Sequence, residues 1–293
     1  MTPCAALLLM STLTAAVASS DDPLTCDRDV LDRDSYRLTT DAQALNVTAE
    51  RHTWWDSFRL GKHEADLADL NDTATYLAQR ALERDPRNRM AHAILARQFL
   101  VAEEPGAAEE AWRRTLDGGG AVVWTATLYD VDARTYFVMA FDRAAIRVYR
   151  FGQLAGAYKK RFGGIPELPG PENARFWASL GGCLDPALTP EASVPWTGVR
   201  EIKAGNWVLW FKLTRPVTIS NDSGKRKTLN EIKVNLHGRT GTLEVYKPVG
   251  GEQLAMRGRG PAGYQDLVRR TLVKFVDPEK RIALPPVKPG VGW

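Results

Sequence analysis

The spacing of apolar residues changes near residue 120 and divides the chain into two parts. Before that point apolar side chains recur at helical spacing and predict four helices. These lie over residues 52–70, from an Asn71-Asp72-Thr73 cap to Pro86, and over residues 90–100 and 107–116. From residue 121 the period falls to two, which predicts strands over residues 123–129, 135–141, 146–151, 207–213, 217–219, 231–236 and 242–246.

An amphipathic helix is predicted over residues 264–275, after the last strand. The order of elements predicts an α+β fold, in which a helical domain packs on an antiparallel β-rich domain with a closing helix. We divide the chain into a signal peptide (1–18), an acidic arm (19–50), a helical domain (51–117) and a β-rich domain (118–293). Within the last, the strands fall at about 121–151 and 206–247 and the helix at about 262–276.

The arm is rich in aspartate, with seven between residues 21 and 41. Aspartate at this density disfavours a long helix and suits caps and turns, so we predict a solvated arm.

An apolar run over residues 5–17 ends in Ala16-Val17-Ala18, the small-x-small pattern of a cleavage site. The run is shorter than the roughly 20 residues that a bilayer-spanning helix needs. We therefore expect an exported protein, periplasmic or extracellular, cleaved after Ala18. Because no Lys or Arg precedes the run, a retained N-terminal anchor stays open as the alternative. An excess of Arg (27) over Lys (12) favours a bacterial source.

Cleavage would leave two of the three cysteines, Cys26 and Cys183. Export permits a disulfide, and two cysteines allow one pairing. The bridge would close a long loop, worth about 4 kcal/mol or more in the chain-entropy model. We expect a structural Cys26–Cys183 disulfide, with two reduced thiols as the alternative.

Positive charge collects in the C-terminal part of the chain. Residues 197–293 hold 18 Lys and Arg against 8 Asp and Glu, a balance of +10, whereas the whole chain carries +4 and residues 1–196 therefore −6. This half offers a surface to an acidic polymer, an anionic surface or an acidic partner, although evenly spread surface charge explains the same count. No base-stacking motif accompanies the charge, so we predict no nucleic-acid binding.

Residue types that usually carry chemistry are scattered. The four histidines form no His-x-x-x-His pair, so we predict no metal site and no cofactor. The chain has no Gly-x-Ser-x-Gly, Ser-x-x-Lys, phosphate-loop or dinucleotide motif, which favours a non-enzyme without excluding an enzyme. Trp207 and Trp210 fall on opposite faces of their strand, so at most one faces solvent, and core packing is the alternative to a stacking role.

Small residues recur with a period of 34 in the helical part. Ala108 and Thr115 follow Ala74 and Ala81 at that spacing, and Ala96 lies in the second copy. This pattern resembles the tetratricopeptide repeat, a stack of helix–turn–helix units. The resemblance implies close helix–helix contacts at the alanines.

In the tetratricopeptide family the first helices of successive repeats line a groove that binds an extended polypeptide. The resemblance, which spans about residues 54–116, implies that Arg97 and Leu100 face this groove, with Phe58 and Lys62 as candidates from the first repeat. Two repeats fall below the roughly three that stand alone. We therefore expect the chain itself to cover the exposed end, and the helices to brace the sheet as much as to bind.

Two function classes follow. The first is an exported interaction or scaffold protein that binds another polypeptide or an envelope component through the groove or the basic sheet. The second is an envelope hydrolase or polymer-binding module that acts through the β-rich domain. An enzyme would show a pocket in which carboxylates, or a carboxylate and His237, converge. A scaffold would show an open surface lined by aromatic residues and Arg beside the helices.

Overall fold

A computed structural model of the chain describes residues 32–56, 64–102, 104–127, 136–154, 156, 179–184, 189–204, 208–221, 223–235 and 270–275. Four helices come first: α1 (Arg33–Asp56), α2 (Glu64–Arg84), α3 (Arg89–Val101) and α4 (Pro105–Asp117). Two antiparallel sheets follow, and a helical segment at 270–273 packs near the end of the described chain. The predicted α+β class is confirmed.

The first sheet has four strands in the order β1-β2-β3-β4, each antiparallel to its neighbour. They are β1 (Val122–Thr127), β2 (Tyr136–Phe141), β3 (Ala145–Arg150) and β4 (Ala192–Pro195). The second sheet has the order β5-β6-β7, also antiparallel. Its strands are β5 (Val199–Ala204), β6 (Val208–Ser220) and β7 (Arg226–Asn235).

Some predicted strands differ from the observed ones. The segments 207–213 and 217–219 are one strand, β6, whose pairing with β7 is irregular between Lys212 and Val217. Pro216 lies in that irregularity, where a residue without a backbone N–H costs no ladder hydrogen bond. Strands β4 and β5 are not among the predicted strands: prolines surround β4, and charged residues interrupt β5. The predicted strand 242–246 lies outside the described residues, as does most of the predicted helix 264–275.

Helix α1 shows that the prediction of a solvated arm up to residue 50 is wrong from Arg33 onward. Asp32 caps the helix, since its Oδ1 accepts a hydrogen bond from the Ser35 backbone N–H at 2.7 Å. Up to residue 46, the face that α1 buries is mostly polar, which is why apolar spacing did not reveal this part of the helix. The buried side chains described there are Ser35, Thr39, Ala42, Gln43 and Asn46.

Helix α2 runs through the predicted Asn71-Asp72-Thr73 cap, so that prediction is also wrong. The Asn71 side chain instead contacts α3, where its Oδ1 accepts a hydrogen bond from Arg97 Nη1 at 3.2 Å. The predicted helix over 52–70 is divided between the end of α1 and the start of α2. The stop before Pro86 is confirmed, because α2 ends at Arg84.

The small residues of the 34-residue period lie in the interior. Ala74, Ala81, Ala96, Ala108 and Thr115 are all fully buried. Helix α1 packs on α2, α2 on α3 and α3 on α4. Ser35 at the start of α1 donates from its hydroxyl to the Ala81 carbonyl near the end of α2 at 2.7 Å, so these two helices run antiparallel. The predicted burial of the alanines is therefore confirmed.

Gly181 and Gly182 allow the β-rich part to approach the helices closely. The backbone N–H of Ala121 donates to the Gly181 carbonyl at 3.0 Å. A Cβ on Gly182 would lie 2.4 Å from the Cα of Met90, at the start of α3, so only glycine fits there. This close approach covers the N-terminal turn of α3 with the 3-10 turn Ser179–Gly182.

The segment 270–275 contacts both parts of the molecule. Its Phe275 ring stacks on Trp196, with centroids 5.3 Å apart and planes 16° apart. Arg270 and Lys274 form ion pairs with Glu109 of α4. Elements of the chain itself thus lie against α3 and α4. Among the helices that the structure describes, none is long and apolar enough to cross a membrane.

Candidate functional site

The outward surface of the β5–β7 sheet is set by the alternation of side chains along β6. Leu209, Phe211 and Leu213 are buried. The Phe211 ring lies 5.8 Å from the ring of Phe141 on the other sheet, which shows that odd-numbered residues point between the two sheets. Adjacent residues point to opposite faces, so Trp210 must face outward, where it is half-buried. Trp210 therefore lies on the outer face of the sheet, partly exposed, and not in the core between the two sheets.

Two lysines flank Trp210 on the neighbouring strands. The register pairs Trp210 with Lys203 on β5 and with Lys233 on β7. Side chains directly opposite one another across strands lie about 5 Å apart at their Cβ atoms. The indole therefore lies in a row between two ammonium-bearing side chains, which are 53% and 36% exposed.

The next row along the sheet has the opposite arrangement of charge. Lys212 pairs with Glu201 on β5 and Glu231 on β7. Its Nζ lies 3.2 Å from a Glu201 oxygen, and Lys203 Nζ lies 3.6 Å from the same carboxylate. The hydrogen bond from Lys212 lowers the pKa of the Glu201 carboxyl, with further attraction from Lys203 and Lys212. Glu201 is therefore a charged ion-pair partner and is not tuned to exchange protons near neutral pH.

The turn between β6 and β7 presents a cluster of cations. Asn221 is buried, and its Oδ1 accepts hydrogen bonds from the Ser223 hydroxyl and the Lys225 N–H, both at 2.8 Å. Gly224 completes the turn with φ of +78°, a value that side chains rarely adopt. The three residues that follow are exposed, and none forms an ion pair with any residue that the structure describes: Lys225, Arg226 and Lys227.

Arg226 pairs with Ser220 and lies on the outward surface, whereas Lys227 pairs with the buried Ile219 and lies on the opposite one. We call the outward surface of β5–β7, with Arg226 at its turn end, the basic sheet face. Between Trp210 and the turn it carries a pair of exposed hydroxyls, Thr218 and Thr228, whose oxygens lie 3.1 Å apart. The face thus combines one indole, hydroxyl groups and several cations. Such a surface can bind anions and pack against a ring.

The predicted groove residues lie elsewhere, in the interior. Arg97 and Leu100 are each only 1% exposed, so neither lines an open groove in this structure. The reason is α1, whose Asn46 lies over Arg97 and accepts hydrogen bonds from Arg97 Nη1 at 3.1 Å and Gln98 Nε2 at 2.5 Å. Arg97 therefore lies in an internal polar cluster and Leu100 in the apolar core, and not in the binding groove to which the resemblance assigned them.

Other predicted residues are described only in part. Phe58, Lys62, His237 and Cys26 lie outside the described residues. Cys183 is buried and disulfide-bonded. Its pairing with Cys26 stays a prediction. No group of three or more His, Cys, Asp or Glu residues able to hold a metal ion occurs in the described ranges.

The flanking lysines were not identified from the sequence. The odd offset between Trp207 and Trp210 indicated that one tryptophan could face solvent, but Lys203 lies on a strand that was not predicted. Register depends on both strands of a pair, so the sequence alone could not predict that Lys203 and Lys233 lie beside Trp210.

Comparisons with protein-family models, with curated proteins and with solved structures found no match to this chain. The similarity to tetratricopeptide repeats therefore stays a prediction from the residue pattern.

Proposed function

We propose that this is an exported interaction protein that binds an anionic envelope component through its basic sheet face, with the helical hairpins as a brace. One observation carries the proposal: Trp210 and the cations around it point outward, while Arg97 and Leu100 are buried. The candidate binding side chains of the sheet therefore face outward, whereas those described in the helices are buried.

A sequence prediction and a structural feature support export. The sequence predicts a signal peptide over residues 1–18, and Cys183 is disulfide-bonded. Structural disulfides persist in oxidising compartments outside the cytosol and are rare within it. The location also makes an envelope polymer or surface a natural partner for a basic sheet.

The hydrolase alternative has no such support. On the basic sheet face the described carboxylates are Glu201 and Glu231, and each lies within 3.2 Å of a lysine Nζ. General acid–base catalysis needs a carboxyl whose pKa is shifted toward neutrality, whereas that of Glu201 is shifted down. We therefore favour binding over hydrolysis.

The test measures binding of the mature chain to immobilised polyanions as a function of salt. The variant Lys203→Glu/Arg226→Glu reverses one charge near each end of this face and should weaken binding about tenfold or more, because attraction to an anionic surface depends on local positive charge. The double variant Arg37→Glu/Arg84→Glu makes the same charge change on exposed helical positions and should have little effect. Equal losses in the two variants would show that net charge, and not this face, drives binding.

A further inference from the structure

We infer that the ligand of the basic sheet face is an acidic polysaccharide, whose sugar rings pack on Trp210 while their carboxylates meet the flanking lysines. This inference rests on the proposed function and narrows it to one ligand class. Its basis is the cross-strand row of Lys203, Trp210 and Lys233, which places a flat apolar surface between two cations.

The Trp210 indole is the feature that favours a sugar polymer, because lysines alone would be enough to bind a polyanion without rings. An acidic peptide can be held by lysines alone, whereas a solvent-facing indole offers an apolar face and an N–H, which suit a molecule that is apolar on one side and polar at its edges. Sugar rings have this character, because their C–H groups form one face and their hydroxyls lie around the edge. The Thr218 and Thr228 hydroxyls lie on the same face and can bond to such edges.

The length of the face fits a polymer. Strand β6 runs 13 residues from Trp210's end of the sheet to the cationic turn. At about 3.3 Å per residue this spans roughly 40 Å, several times the length of one sugar. The indole lies near one end, and Arg226 lies at the other end of the same face, so a chain with repeated negative charge can contact both.

Two other anionic partners fit less well. Sequence-tolerant binding of single-stranded nucleic acid uses successive aromatic platforms, and Trp210 is the one aromatic side chain on this face among the residues described for β5–β7. Binding into an anionic bilayer surface uses large apolar or aromatic residues at the contact, and the described residues of the turn are polar or glycine.

The experiment compares three polymers on the mature full-length chain by isothermal titration calorimetry. They are polygalacturonate, its methyl ester with the same rings but no charge, and polyglutamate with charge but no rings. Polygalacturonate should bind best, with each of the other two at least about tenfold weaker, because each lacks one half of the interaction.

Two variants separate the ring from the charge. Trp210→Ala should weaken polygalacturonate binding about tenfold and leave polyglutamate unchanged, a loss of the size expected for one buried aromatic contact. Lys203→Glu/Lys233→Glu should weaken both charged polymers and leave the ester unaffected. Tyr76→Ala removes a 59% exposed ring from α2 and serves as the matched control, with no change expected. Circular dichroism of each variant checks that the fold is kept.

The outcomes distinguish this inference from the proposed function. If Trp210→Ala changes nothing, or if polyglutamate binds as well as polygalacturonate, the polysaccharide assignment is overturned while anion binding by the sheet stands. If the methyl ester binds as well as the acid, the role of the lysines is overturned. If none of the charged polymers binds, both proposals are wrong.

Discussion

The helical part and the β5–β7 sheet place similar side chains in opposite environments. In the helices, Arg97 is buried and its Nη1 contacts Asn46 and Asn71 on two other helices. On the sheet, Lys203 is exposed and Lys233 is partly exposed beside an outward-facing indole. The comparison shows that a cation can be assigned to a binding surface only when the elements that cover that surface are known. Here α1 covers the predicted groove at Arg97, whereas the outer face of β5–β7 carries its cations outward.

The sharpest test of the comparison uses two adjacent aromatic residues on β6. Phe211→Ala should lower the free energy of unfolding by about 3–5 kcal/mol, because it leaves a cavity between the two sheets. Trp210→Ala, one residue away, should cost less than about 1 kcal/mol, since it points outward. Urea unfolding of both variants measures this difference. Similar losses would show that Trp210 is also part of the core.

The disulfide at Cys183 gives the next largest effect. We predict that Cys26 is its partner and that Cys26→Ser lowers stability by about 4 kcal/mol, because the unfolded chain then loses a long-range constraint. Non-reducing peptide mapping identifies the bridge directly. Reduction of wild type should lower its stability as much as the substitution does. A mapped bridge to any other cysteine would contradict the pairing.

The sequence predicted elements well where apolar residues mark the buried face. Helices α3 and α4 and strands β1–β3 lie within a few residues of the expected bounds because their interiors are apolar. Helix α1 was missed because Ser35, Thr39 and Asn46 are buried through hydrogen bonds and not through apolar contact. When the buried face of a helix is polar, its apolar residues do not recur at helical spacing, and the helix cannot be predicted from them.

The candidate site was predicted only in its composition. The excess of Lys and Arg after residue 197 indicated a basic sheet as one of two explanations, and the odd offset of two tryptophans allowed at most one of them to face solvent. Which cations lie beside Trp210 depends on the register of three strands, one of them unpredicted. Arg97 was misplaced for a related reason, because α1, whose Asn46 lies over it, was expected to be part of a solvated arm.

The polar cluster of the helices provides a smaller test. Asn46→Ala should lower the free energy of unfolding by about 2 kcal/mol, since it removes the acceptor of hydrogen bonds from Arg97 and Gln98 in a buried position. The exposed Asn230→Ala on β7 is the control and should change stability by less than about 0.5 kcal/mol. Polymer binding by the sheet should survive in both variants under conditions where they are folded. Loss of binding in folded Asn46→Ala would mean that the helices do more than brace the sheet.

The smallest effect expected is a pH dependence that arises in the helices alone. His92 is buried in α3, and its Nε2 donates to the Pro86 carbonyl at 2.9 Å. Burial lowers the pKa of His92 below its ordinary value of 6.5, although the bond to Pro86 opposes the shift. The unfolded chain therefore binds a proton at a pH where the folded chain does not.

The contribution of neutral His92 to the free energy of unfolding is fully present above the unfolded pKa. It is lost as the pH falls through 6.5 toward the lower pKa of the folded state. His92→Gln removes the titration and should make stability fall less between about pH 7.5 and about pH 5.5 than it does in wild type. Thermal unfolding of both proteins at the two pH values measures the difference. Identical slopes would show that His92 does not titrate differently on folding. A matched change in polygalacturonate affinity would couple the helices to the sheet and break the division of roles between them.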